Sequence, residues 1–262
     1  MTPPDQRPLP PPAKREPLKT LDIFIIAVVL ALLGWMIYRT NVALEYHWNW
    51  SGVWQFVVRF DEDAQAYVPN LLLEGLFMTL RLAFWGTILA AIIGIIMGLC
   101  RVSSRLFPRV ISRTFVELIR NIPPIVFIFV FYFFISSQLM PLLGLREMLD
   151  GLSPDSQAWI ETLFAPLPLF ENFVAGVLCL AILESAYITE LVRAGIQSID
   201  KGQWEASRAM GFTPLNMMRD IILPQAIRRI LPPLANQFIT LVKDSTMVSL
   251  ISIQELVFSA KE

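Results

Sequence analysis

Across 262 residues the chain is 55% hydrophobic with a mean hydropathy of +0.57, too apolar for a soluble domain with a water-facing surface, so a membrane protein is expected. A net charge of −1 supplies no basic field for nucleic acid, and the two cysteines, Cys100 and Cys179, lack CxxC spacing and read as small apolar residues rather than as a disulfide or zinc pair. No Gly-x-x-x-x-Gly-Lys loop, His-Glu-x-x-His or Gly-x-Ser-x-Gly occurs, and the single histidine, His47, cannot build a metal site or a Ser/His pair, so no catalytic site is expected.

Residues 1–20 hold seven of the chain's prolines, at positions 3, 4, 8, 10, 11, 12 and 17, with Lys14, Arg15 and Lys19, a composition that buries no core and reads as a disordered cytoplasmic tail. Leu21 to Tyr38 is apolar apart from Asp22 and would span roughly 27 Å as a helix, about one bilayer core. Tyr38-Arg39-Thr40-Asn41 follows it instead of a small-x-small cleavage site, which favours a retained membrane helix over a signal peptide. Residues 39–69 mix Trp48, Trp50, Trp54, Phe56 and Phe60 with Asp61-Glu62-Asp63, the composition of an outer loop lying on a bilayer face or packed on the bundle.

A second span is expected over 70–100, where Gly86, Ala90, Gly94 and Gly98 recur every four residues and form a ridge that lets another helix approach closely. Arg101, Arg105, Arg109 and Arg113 follow, which places this loop in the cytoplasm by the positive-inside rule. The third span, 116–140, opens on Glu117-Leu118-Ile119-Arg120-Asn121-Ile122-Pro123-Pro124, whose paired prolines must interrupt the backbone ladder. Residues 141–171 carry four prolines and five acidic residues against a single Arg146, the pattern of an outer loop that either docks a partner or is a passive insertion.

The fourth span, 172–196, contains Glu184 and Glu190 among apolar residues, together with Ser185, Tyr187, Thr189 and Arg193. Ionisable groups in a membrane helix face a water-filled cavity or a partner. Glu190 and Arg193, three apart, are expected to pair, whereas Glu184 either lines a substrate path or pairs with another helix. In the cytoplasmic segment 197–229, residues 205–224 read as helix, turn, helix: Glu205, Ala206 and Ser207 suit a short helix, Gly211 the left-handed residue that ends it, and Thr213-Pro214 the cap and first turn of the next. A fifth span is expected over 230–253, with Lys243 and Asp244 neutralising one another, before a tail at 254–262. The fold class is thus all-α and integral to the membrane, a bundle of about five transmembrane helices around a permease core at 70–253.

Residues 205–224 resemble the EAA loop of ABC-transporter permeases: Glu-Ala-Ala, three residues, Gly, nine residues, Ile, one residue, Leu-Pro, with Ser207 in place of the second Ala. Glu117-Leu118-Ile119-Arg120-Asn121-Ile122-Pro123 is similar to the Glu-Leu-x-Arg-x-x-Pro signature of the polar amino acid uptake permeases (histidine, glutamine, arginine type), with Asn121-Ile122 where that family often has Gly-Thr. Ser185-Ala186-Tyr187 to Glu190, and Leu234-Ala235-Asn236-Gln237-Phe238 through Lys243-Asp244-Ser245, resemble further segments of the same family.

The resemblance implies an importer permease of the bacterial cytoplasmic (inner) membrane, multi-pass with its N-terminus inside. It implies a second permease, identical or related, two cytoplasmic ATPase subunits that bind ATP and Mg, and an external solute-binding protein. Glu205 would be the charged contact to an ATPase, Ala206 and Ser207 the small residues of close approach, and Gly211 the turn. The cargo would be a polar or charged amino acid, with Glu184, Ser185, Tyr187, Gln237, Asp244 and Ser245 as candidates for its path and Glu184 hinting at a cationic one. Family members generally carry a membrane helix after the fifth and lack the one at 21–38, so either the sequence stops short of that helix or a partner supplies it. A secondary transporter, a channel or a membrane scaffold would need no ATPase-coupling loop.

Overall fold

The structure is a computed structural model that describes residues 20–43, 50–62, 65–251 and 259. The Pro-rich tail before Thr20, His47, Trp48, Asp63 and most of the C-terminal tail lie outside the described residues. Two compact units divide at Ser51 and Gly52. In the first, α1 (Thr20–Ala43) is apolar on every face, and no part of its spanning segment Thr20–Thr40 is buried in protein. Such a helix is at home only in hydrocarbon, where its backbone bonds are all internal.

The second unit begins with a short helix, α2 (Trp54–Val57), and a two-stranded antiparallel ribbon, β1 (Val58–Asp61) and β2 (Ala66–Pro69), in which Val58 faces Pro69 and Asp61 faces Ala66. This hairpin is the one departure from all-α structure among the described residues, and Phe60 and Tyr67 close it edge to face, 5.3 Å between ring centres. Asn70 ends it by donating its side-chain amide to the Gln55 carbonyl, 2.5 Å, and its backbone N–H to the Val57 carbonyl, 3.0 Å.

Next come α3 (Leu71–Arg101) and α4 (Leu106–Asn121). A broken helix follows: α5 (Pro124–Val130), a π turn at Phe131–Ser136, α6 (Ser137–Leu143) and α7 (Leu145–Asp150). Then come α8 (Pro154–Leu163), α9 (Phe170–Gln197), α10 (Lys201–Ala209), α11 (Pro214–Asn216) with a π turn at Met217–Ile222, and α12 (Leu223–Asp244), which tightens to 3-10 at Ser245–Ile251. The helix expected from Val116 divides at Ile122-Pro123, because proline cannot donate to the ladder and restricts the residue before it. Consequently α4 is a separate amphipathic helix, burying Ser112, Val116 and Ile119, and the apolar span runs over Pro124–Asp150, into the segment expected as outer loop.

Four segments, not five, are long and apolar enough to cross a membrane among the described residues: Thr20–Thr40, Leu71–Arg101, Pro124–Asp150 and Leu167–Gln197. The fifth expected span fails on composition and geometry. Arg228 and Arg229 stand in the first turns of α12, Lys243 and Asp244 at its end, and the helix gives way to 3-10 geometry at Ser245. Pro232, Pro233, Asn236 and Gln237 add further polarity and breaks in the backbone ladder within the stretch.

At the centre, α3 lies along α9. A Cβ built on Gly94 would stand 2.6 Å from Ile188 Cβ, and one on Gly98 2.5 Å from Val192 Cβ, while Gly86 looks toward Leu241 and Leu180. The facing positions advance together, 86 with 180, 94 with 188 and 98 with 192, so the two helices run parallel. Their C-termini therefore emerge on the same side, the side of the Arg101 loop and of α10. Ala90, fully buried, continues the same face.

Candidate functional site

Three features lie along α9 and α12, beginning with the hairpin that joins them. Asp200 caps α10 by accepting from the Gly202 N–H at 2.6 Å, and Thr213 caps α11 by accepting from Asn216 N–H at 3.3 Å, with Pro214 in the first turn. Between them the Gly211 N–H bonds the Arg208 carbonyl, 3.0 Å, and the Phe212 N–H bonds the Ser207 carbonyl, 3.2 Å, with Gly211 at φ +79°. That is a Schellman closure, whose left-handed residue strongly favours glycine. Ser207 is buried, its hydroxyl donating to the Gln203 carbonyl at 2.5 Å, whereas Glu205 and Ala206 face outward with Met210 and Leu215. One bond ties the hairpin to α12, Gln225 Nε2 donating to Gln203 Oε1 at 3.1 Å, and another ties α12 to the end of α9, Arg229 Nη1 donating to both the backbone oxygen and the hydroxyl of Ser198.

Deeper along the same two helices, Glu184 is buried at 2% exposure, accepts a hydrogen bond from Gln237 Nε2, and stands within hydrogen-bonding range of Asp244. Lys243 is exposed and its charge still acts on the neighbouring Asp244, while the Asp244 carboxyl also interacts with Glu184. Consecutive helical residues point about 100° apart, so one cannot follow the other inward. The remaining candidates do not join this cluster. Ser185 and Ser245 are fully buried and donate to the carbonyls of Ile182 and Val242 in their own helices, both at 2.8 Å. Tyr187 lies under the guanidinium of Arg120, 5.2 Å from its ring centre.

One turn beyond Tyr187, Glu190 pairs with Arg193, whose Nε reaches Oε1 at 2.8 Å. Arg101, at the end of α3, brings its Nε to 3.6 Å from Glu190 Oε2. From the sequence, Arg101 reads as loop charge and Arg120 as part of the Glu-Leu-x-Arg-x-x-Pro signature, while Gln203, Gln225 and Arg229 have no role. Arg120 had a signal in its fixed spacing from Glu117. The others have none, since their partners lie 22 and more residues away.

Apolar spans, a polar cluster shared by two helices and a capped hairpin joining those helices define a polytopic membrane transport component. Residues 90–262 match the family model described as binding-protein-dependent transport system inner membrane component. The chain is similar to the probable glutamine ABC transporter permease protein GlnM of Bacillus subtilis (strain 168), 36% identical over 73% of this chain and 76% of that protein. It is also similar to the arginine transport system permease protein ArtQ of the same organism, 32% identical over 74% and 77%. Among solved structures it resembles the crystal structure of an amino acid ABC transporter with histidines, with 34% identity, a TM-score of 0.56 and coverage of 73% and 76%. The chain belongs to the binding-protein-dependent inner membrane components, the permease subunits of ATP-driven ABC importers. It is accordingly a multi-pass protein of the inner membrane.

Proposed function

We propose that the chain carries polar or charged amino acids inward, paired with a second permease, two cytoplasmic ATPases holding ATP and Mg, and an external solute-binding protein, with its own N-terminus in the cytoplasm. The names of its relatives, which concern glutamine, arginine and histidine, support that cargo class. In this reading α10 docks in the ATPase through Glu205, Ala206 and the surface beside them. Closure of the ATPase pair displaces α10 as a rigid body. The Gln203–Gln225 and Ser198–Arg229 ties pass that displacement to the facing ends of α9 and α12. Those same helices supply Glu184, Gln237 and Asp244, so the push alters the cluster that meets the cargo. The observation that carries the proposal is this identity of the helices joined by the hairpin with the helices that form the polar cluster.

Two carboxyl groups converge there while Lys243 stays exposed, which suits a cationic cargo side chain. Glu205→Lys in the reconstituted complex tests the coupling: ATP hydrolysis without uptake is expected, at normal levels of protein in the membrane. Uptake at the wild-type rate would remove Glu205 from the ATPase contact.

A further inference from the structure

At the hairpin-side end of α3, α4 and α9 lies an open polar recess of about 230 Å³, lined by Arg101, Val116, Glu117, Arg120, Asn121 and Glu190. Its charges do not balance. Arg193, Arg101 and Arg120 all act on the one carboxylate of Glu190, while Glu117 is taken by Arg113 at 2.7 Å. Glu190 Oε1 is spent on Arg193. Its Oε2 is ion-paired with Arg101 Nε at 3.6 Å, beyond hydrogen-bond length, and neither Oε2 nor Arg101 Nη1 makes a hydrogen bond. Arg120 rests on the Tyr187 ring, and no carboxylate forms a salt bridge with it among the described residues.

Three guanidinium groups gather at the one carboxylate that Arg113 does not take, so the recess carries net positive charge and suits a guest that brings a carboxylate of its own together with a donor for Glu190. That guest must accept from guanidinium groups and donate to a carboxylate. The head group of a free α-amino acid does both. We infer that this recess is a release subsite, in which Arg101 and Arg120 hold the α-carboxylate of the cargo and the Glu190 carboxylate holds its α-ammonium; the inference rests on the amino-acid reading above. Glu190 lies six residues past Glu184, about 9 Å along the helix, with Tyr187 midway. The cargo thus moves from a cluster that meets its side chain to one that grips its head group, on the side where the hairpin lies. Because only the head group is held, the subsite is indifferent to side-chain identity.

The test uses proteoliposomes containing the complete importer with the hairpin face inward and ATP inside. Uptake of labelled L-arginine and L-glutamine is measured against rising lumenal concentrations of the same amino acid. Lumenal amino acid is expected to slow uptake by filling the subsite. Arg120→Gln, an exposed change, should raise the half-inhibitory concentration of both amino acids about tenfold, the worth of one charge-assisted contact. Arg109→Gln, outside the recess, should leave it within about twofold. Lumenal agmatine, which keeps the side chain of arginine and lacks its carboxylate, should not slow uptake. Normal uptake with no lumenal slowing, with equal inhibition by agmatine, or with an unchanged Arg120→Gln response would overturn the subsite and leave an ion pair bridged by water. No uptake of either amino acid by the wild type would overturn the cargo reading itself, and the subsite with it.

Discussion

Gly211 offers the cleanest probe of the hairpin, because a Cβ added there would meet nothing within 4 Å. Any penalty is then torsional and not steric. At φ +79° an ordinary L-residue is strained by about 1–2 kcal/mol, and asparagine by less. That energy would shift the population of the closed turn by roughly 5- to 30-fold and release the bonds from Gly211 to Arg208 and from Phe212 to Ser207. The angle between α10 and α11 would loosen while the helices themselves persist, each keeping its own cap. Wild type, Gly211→Asn, Gly211→Ala and Gly211→Val, reconstituted with the ATPase, are compared by amino acid taken up per ATP hydrolysed. The expected order is glycine, asparagine, alanine, valine, with ATP hydrolysis continuing in all and valine nearly uncoupled. A valine variant as well coupled as wild type would show that the turn transmits no force.

The α3–α9 contact predicts a contrast between two glycines. Gly94→Ala should lower stability by about 1–3 kcal/mol, since its Cβ collides with Ile188 at 2.6 Å and approaches the Ser185 carbonyl at 3.1 Å, whereas Gly86→Ala meets only Leu241 methyls at 3.4 Å and should be far milder. Thermal melts of the purified protein in one detergent rank them, and equal melting points would refute the close approach. Gln237→Leu strips buried Glu184 of its amide donor and should cost about 1–3 kcal/mol, while Glu184→Gln should keep the fold and reduce uptake of arginine relative to glutamate. An unchanged cargo preference would detach Glu184 from selectivity. Arg229→Met removes the Ser198 tie and should lower uptake per ATP without loss of membrane insertion; unaltered coupling would point to another route between α10 and the spans.

Much of this organisation is legible in sequence because it is written in local patterns. Apolar length marks three of the spans over or near their observed ranges, and Gly211 and Thr213-Pro214 specify the hairpin through bonds between residues a few positions apart. The two misjudged spans have separate physical causes. Pro123-Pro124 divides 116–140, while in 230–253 the polar Asn236, Gln237, Lys243 and Asp244 offset the apolar residues between them. The β-hairpin at Val58–Pro69 was hidden by a segment read for its aromatic and acidic content instead of its alternation.

What sequence alone determined was the class of protein, the presence of a capped turn and the oddity of Glu184 and Glu190 in an apolar helix. The tertiary structure decided which groups meet. It is the parallel run of α3 beside α9 that carries Arg101 to Glu190, and the return of α12 against α9 that brings Gln237 and Asp244 to Glu184. These encounters join residues 53 to 89 positions apart, whose proximity depends on how whole helices pack and leaves no trace in the spacing of the chain.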